Sequence, residues 1–166
     1  TLRLWKDAKT DLGIPHLSNL AFGGATIAAC QAFSERLLTT RITNGKIIIY
    51  AGDNDLGSGL SVSEVIRDYK NFLITLTELL PNFEVLVISI KPCPFRRHLR
   101  KEIEEVNFWL KKYISNKENW SFIDIHSSML DAYGENKNAF YSDDPLHMND
   151  VGYALLGKKV RMSLNS

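Results

Sequence analysis

Two apolar runs stand out from the mixed pattern of the chain, KIIIYAG at 46–52 and EVLVISI at 84–90, and neither alternates with polar residues. Unbroken runs rich in β-branched residues suit strands covered on both faces, as in a parallel sheet. WSFIDI at 120–125 predicts a third strand and HLSNLAF at 16–22 a fourth. Between the strands the apolar period lengthens. From Ser61, a capping-box residue three positions before Glu64, apolar side chains recur at 65, 69, 72, 76 and 80 until Pro81 stops them, which predicts a helix. Leu99, Ile103, Val106, Leu110 and Tyr113 or Ile114 predict another over about 97–115, and a third is expected over about 26–38. A last helix follows His147, capped by Asn149 or Asp150.

Strand and helix thus alternate from end to end, which predicts an α/β domain with a mainly parallel sheet and helices on both faces. No linker or repeat interrupts the pattern over residues 1–166, so one domain is expected. Length agrees: 166 residues, 45% of them hydrophobic, make one substantial core. Twenty basic against nineteen acidic residues leave a net charge of +1, which argues against nucleic acid and anionic membrane as partners. No apolar run approaches the roughly 20 residues of a transmembrane helix, and TLRLWKDAKT is not a signal peptide. The chain is therefore cytosolic or, with a leader upstream of Thr1, exported. Cys30 and Cys93 form neither a CxxC nor a Cys/His cluster, so no zinc site and no disulfide framework are expected.

In open parallel sheets ligands bind at the C-terminal ends of the strands, which directs attention to the loops there. YAGDNDLGSG follows the first run: Gly52 permits a tight exit, and Asp53, Asn54 and Asp55 place short polar side chains either at a substrate or in an Asx turn. In NLAFGGAT, Gly23 and Gly24 lead into a helix, either exposing backbone N–H groups to an anion or making a simple turn. DDPLHMND, residues 143–150, sets Asp144 three positions before His147, the spacing of an acid that orients a base. A glycine N–H and an asparagine amide aimed at one point make an oxyanion hole, and an Asp–His pair supplies a general base.

These blocks resemble the SGNH or GDSL-type hydrolases, a family of esterases and lipases. Gly52-Asp53-Asn54-Asp55 is similar to its Gly-x-Asn-Asp block, Asp144-Pro145-Leu146-His147 to its Asp-x-x-His block, and Asn19–Thr26 to its glycine block. The resemblance implies a three-layer α/β/α sandwich with a flavodoxin-like central sheet. It further implies a Ser-His-Asp triad with His147 as base and Asp144 as its orienter, an oxyanion hole from Gly24 and Asn54, and no metal or organic cofactor. The block carrying the nucleophile reads Gly-Ser-Ser, a small hydroxyl residue, an aliphatic residue and Arg-Leu-Trp in the branch most like this chain. TLRLW resembles the tail of that phrase. By this alignment the nucleophilic serine immediately precedes Thr1 and the first strand of the sheet lies upstream, so that 1–166 is an N-terminally incomplete domain. Loss of such a strand would exceed the roughly 5–15 kcal/mol of net stability a domain possesses.

Within the chain, Ser58 lies on the right loop but without a Gly-x-Ser-x-Gly elbow, and Thr1 would need a processed free amine. Ser89 and Cys93 read as core residues beside a strand end. Asp124, His126, Asp144 and His147 compose a conceivable metal set, although their spacing compels no convergence. FRRHLRK at 95–101 reads as a solvated face, with guidance of an anionic substrate as the other reading. Trp5, Phe22, Phe95 and Tyr141 are candidates for a pocket wall, with core packing expected for at least half of them. Asp55 is expected to brace the loop of Asn54, and Asp143 to be a mere neighbour of the pair. The expected activity is hydrolysis of a small-molecule ester with a short acyl group, since no lid-like apolar segment is present. The competing expectation is a catalytically inactive small-molecule or carbohydrate binding domain on the same fold.

Overall fold

A computed structural model describes residues 1–38 and 45–165. Three parallel strands, β1 (Gly45–Ile49), β2 (Phe83–Ile88) and β3 (Trp120–Ile123), form the sheet in the order β1-β2-β3. Ile49 lies opposite Val87 in the first ladder, and Ile88 opposite Ile123 in the second. Helices α1 (Ala8–Leu12), α2 (Ile27–Leu37), α3 (Asp53–Gly57), α4 (Val62–Leu79), α5 (Arg100–Ile114) and α6 (Asp150–Leu164) complete the α/β fold.

Side-chain alternation along each strand sorts the core into two clusters. Val85 and Val87 face a cluster with Ile27 of α2, Val65, Leu73 and Leu76 of α4 and Ile103 and Leu110 of α5. Leu86 and Ile88 face the other, with Leu12 of α1 and Tyr153, Leu156 and Val160 of α6. Both faces of the sheet are thereby covered, as continuous apolar runs require.

Local sequence explains the helix starts. The Ser61 hydroxyl accepts from Glu64 N while Glu64 Oε2 accepts from Ser61 N, the reciprocal box that opens α4. Thr26 Oγ1 accepts from Ala29 N at the start of α2, and Asn149, not Asp150, caps α6 by accepting from Gly152 N. Gly152 also lets α6 approach a neighbouring turn: a Cβ there would lie 2.5 Å from the Phe140 carbonyl oxygen.

Two expectations are corrected. Residues 16–22 are not a strand: no strand among the described residues ladders with them, Asn19 Nδ2 donates to Leu2 O, and Asn19 Oδ1 turns the chain by accepting from Ala21 N. The helix expected from about 97 begins at Arg100, because Pro94–Leu99 form a tighter 3-10 turn whose Arg96 has non-helical φ/ψ. The other strands end two or three residues before their apolar runs do, where the ladder stops.

Beyond the strand ends, side chains replace the ladder. Asn107 on α5 accepts from Ile90 N and donates to Ile90 O, both at 2.8 Å, and Ser89 Oγ accepts from Ile125 N and His126 N. His126 is buried, its Nε2 has no hydrogen-bond partner among the described residues, and burial lowers its pKa from the usual 6.5 despite Glu104 and Asp124 nearby. The unfolded chain therefore takes up this proton before the folded one does. Stability is expected to fall as pH drops below about 6.5, and replacement of His126 by Gln should flatten that part of a denaturation midpoint–pH profile; an unchanged slope would remove His126 as the cause.

Candidate active site

One cavity of about 730 Å³ runs along β1 to the turn that follows it and is bordered by Thr1, Gly24, Asn54 and His147 among others. Four residues that the sequence singled out from four separate segments thus share one space.

The block after β1 turns at Gly52, whose φ of 91° and close approach to Ile90 (2.7 Å from a notional Cβ) admit only glycine without rearrangement. Asp53, Asn54 and Asp55 then open α3. Asn54 Nδ2 donates to Ala25 O at 3.0 Å, and Asp55 Oδ1 accepts from Ile27 N at 3.0 Å. These two bonds tie the Gly23–Gly24 turn to the α3 turn across nearly thirty residues of chain. Gly24 has φ of 67° with open space around it, and its N–H meets no acceptor among the described residues. Asp55 therefore braces the loop, as expected, and does so from inside: it is 1% exposed, its Oδ2 has no hydrogen-bond partner among the described residues, and burial raises its pKa.

His147 and Asp144 pair through Nδ1 and Oδ2. An ionised carboxylate accepts, so a neutral imidazole paired this way carries its proton on Nδ1 and has a lone pair on Nε2. The bond from His147, with a second from Leu146 N to Oδ1 at 2.8 Å, holds the Asp144 carboxyl below its usual pKa. Both side chains are substantially exposed, where ion pairs add little stability, so packing does not account for this geometry. The loop beneath is built for it: Ser142 N donates to His147 O, while Asn149 Nδ2 donates to Ala139 O and Tyr141 O. Asp143 is exposed and stands outside the pair.

Charge is also buried beside the cavity. Asp53 Oδ2 meets Lys91 Nζ at 3.4 Å and accepts from Tyr50 Oη at 3.1 Å, and its Oδ1 accepts from Arg96 Nη1. Burial raises the Asp53 pKa, but the two cations outweigh it and the carboxyl stays below its usual range. Lys91 is 1% exposed. Arg96 corrects the reading of 95–101 as a wholly solvated face: its guanidinium is largely buried, bonded to Asp53 O at 2.7 Å and Asn54 Oδ1 at 3.2 Å. Arg97 and Arg100 do face outward, paired with Glu135 and Glu104. Lys91 and Asn107 were missed by sequence reasoning, and Arg96 was read only as one cation of the 95–101 run. Asn107 carried a signal, a lone amide on the apolar stripe of α5; a lysine and an arginine just past a strand end carried a weaker one.

The other candidate nucleophiles are engaged in structural bonds. The Ser58 hydroxyl is exposed and donates to Asp55 O at 2.9 Å, closing α3, and Ser89 is spent on the β3 exit. Cys93 is buried, with its thiol donating to Pro145 O. Asp124 accepts twice from Ser127, and no three metal-capable acids, histidines or cysteines gather among the described residues, so the conceivable quartet with His126 does not assemble. Trp5 and Phe22 both border the cavity, Trp5 from a buried position stacked on Tyr153 and Phe22 against Phe33, whereas Tyr141 is buried and donates to Pro92 O and Phe95 is exposed.

Residues 3–155 match a family model described as the GDSL-like lipase/acylhydrolase family. No curated protein matches the chain. Among solved structures, a Streptococcus pneumonia protein named for platelet activating factor aligns with a TM-score of 0.83 and 19% identity, over 98% of this chain and 79% of its own. A GDSL-like lipase from Bacteroides thetaiotaomicron gives 0.80 and 16%, over 99% and 83%. A carbohydrate esterase family 3 protein from Talaromyces cellulolyticus gives 0.71 and 16%, over 98% and 87%. At such identities the likeness is one of fold. No helix among the described residues is long and apolar enough to cross a membrane.

The bond from Ile27 N to Asp55 yields a prediction. Asp55→Ala strips a buried N–H of its acceptor and should cost about 1–3 kcal/mol in denaturant unfolding; a loss below the error of the measurement would show that the two turns hold without it.

Proposed function

The chain belongs to the GDSL-like lipase/acylhydrolase family, and from that premise we propose that it is a serine esterase working through an acyl-enzyme, with His147 as general base and Asp144 as its orienter. The observation that carries this reading is the shared cavity, in which the His147 side of the Asp144 pair meets Gly24, Asn54 and Thr1.

The nucleophile in this proposal is a serine immediately before Thr1, at the end of a strand laid along the outer edge of β1. Two features support it. Among the described residues β1 has a strand on one side only, and the cavity runs past every residue from Gly45 to Ala51 on the other. Thr1 borders the same cavity and is held by Tyr153 Oη, which donates to Thr1 O at 2.8 Å. The upstream strand would complete 1–166 as a single three-layer domain.

In the proposed reaction His147 Nε2 takes the serine proton as the oxygen attacks the ester carbonyl. The Gly24 N–H, the serine N–H and the Asn54 amide receive the oxyanion, His147 returns the proton to the leaving alcohol, and water then frees the acid by the same steps. A short acyl group on a small molecule is the proposed substrate class. The second reading, a binding domain without turnover, would keep the cavity and dispense with the base.

With the full-length protein, His147→Ala should reduce cleavage of p-nitrophenyl acetate by at least about a thousandfold, and Asp144→Asn by a smaller factor, with melting temperatures unchanged. Undiminished turnover in His147→Ala would sink the mechanism. Rates across a series of acyl lengths should be highest for the shortest chains; a maximum at long chains would overturn the substrate class.

A further inference from the structure

We infer that Arg96 is a positioning residue, which holds the Asn54 carboxamide in the one of its two orientations that presents nitrogen, not oxygen, to the cavity. The inference rests on the esterase reading of this cavity for its effect on rate, but not for the orientation itself.

A carboxamide can usually be turned over at little cost, because its oxygen and nitrogen have the same size. Here the two neighbours of Asn54 remove that freedom. Arg96 has only donors to offer, and its Nη2 stands 3.2 Å from Oδ1; Ala25 O has only lone pairs, and stands 3.0 Å from Nδ2. Turned over, the group would set N–H against N–H at Arg96 and oxygen against oxygen at Ala25. In the observed orientation Nδ2 gives one hydrogen to Ala25 O, its second hydrogen meets no acceptor among the described residues, and Asn54 borders the cavity. An oxygen in that place would repel the oxyanion instead of binding it.

The guanidinium is itself held with little freedom. Nη1 donates to Asp53 O and to Asp53 Oδ1, so Arg96 grips the residue before Asn54 as well as Asn54. Gly57 makes room for it: a Cβ there would fall 2.6 Å from both Cζ and Nη2 of Arg96. On its other side the same turn reaches the base. Cys93 Sγ and Phe95 N both donate to Pro145 O, between Asp144 and His147, and Tyr141 Oη donates to Pro92 O. One segment, 92–96, thus sets the Asn54 amide and abuts the loop that carries His147. A fork with several fixed donors suits this duty, and a lysine ammonium, a single mobile point, would satisfy Asp53 and leave Asn54 Oδ1 unheld.

The test uses the full-length protein and the variant Arg96→Lys, which keeps the buried charge opposite Asp53. Two readouts are taken. The side-chain amide signals of Asn54, assigned by their disappearance in Asn54→Ala, should move and exchange faster with water in Arg96→Lys. The kcat for p-nitrophenyl acetate should fall at least about tenfold with KM within about twofold, while in an Asn54→Ala background the same substitution should change kcat less than about twofold. Unmoved Asn54 signals overturn the inference whether or not the protein is an esterase. An equal loss of kcat in both backgrounds also overturns it, since Arg96 would then act by another route. An inactive wild type would count against the esterase reading alone, and the amide signals would still decide the role of Arg96. Should Arg96→Lys fail to fold, Gly57→Ala, which displaces the guanidinium, is judged by the same criteria.

Discussion

A carboxylate taken out of water has to be met by buried cations, and the loops around the cavity are organised by that requirement at Asp53. Desolvating one ion costs several kcal/mol even after relaxation, so a lone Asp53 would not stay charged where it is. Lys91 arrives from the exit of β2 and Arg96 from the 3-10 turn that follows, with Tyr50 Oη adding a hydrogen bond. Meeting the charge therefore fixes two loops against each other. Asn54, the next residue, inherits its place from that fixation, and segment 92–96 passes it on to Pro145 beside the Asp144–His147 pair.

The core makes such exactness possible. Two apolar clusters clamp the sheet from both sides, and the strand exits are finished by Asn107 and Ser89 instead of by further ladder. Polar groups buried at those exits are nearly all paired, which leaves the loops little room to drift. Asp55 then joins the glycine turn to α3, and the Asn54 amide bonds Ala25 O, so the two turns are held against each other. The Asp144–His147 pair differs in kind. It lies in partly exposed chain, held by backbone bonds of its own loop and by Asn149 at the head of α6.

What was legible in the sequence was local. The Ser61/Glu64 box, the apolar periods of α4 and α5 and the Asp144-to-His147 spacing all act within a few residues; the box opens α4 as expected, α5 follows its period but starts three residues later, and Asp144 meets His147. The stretch 16–22 was not legible, because composition cannot say whether a strand has a neighbour to pair with. Nor were the five-residue helices α1 and α3, too short to show a period. Arg96 was misread for a different reason. A run of cations looks the same whether solvated or not, and what draws this one inward is Asp53, 43 residues earlier, and the missing side chain of Gly57. Long-range electrostatic matching leaves little trace in a single sequence.

In the esterase proposed here His147 serves a serine one residue before Thr1. Treatment of the folded, full-length protein with a fluorophosphonate, followed by peptide mass mapping, identifies the nucleophile. A single adduct is expected on the serine that precedes Thr1, lost in His147→Ala. An adduct on Ser58 or Ser89, or no adduct on folded protein, would contradict it.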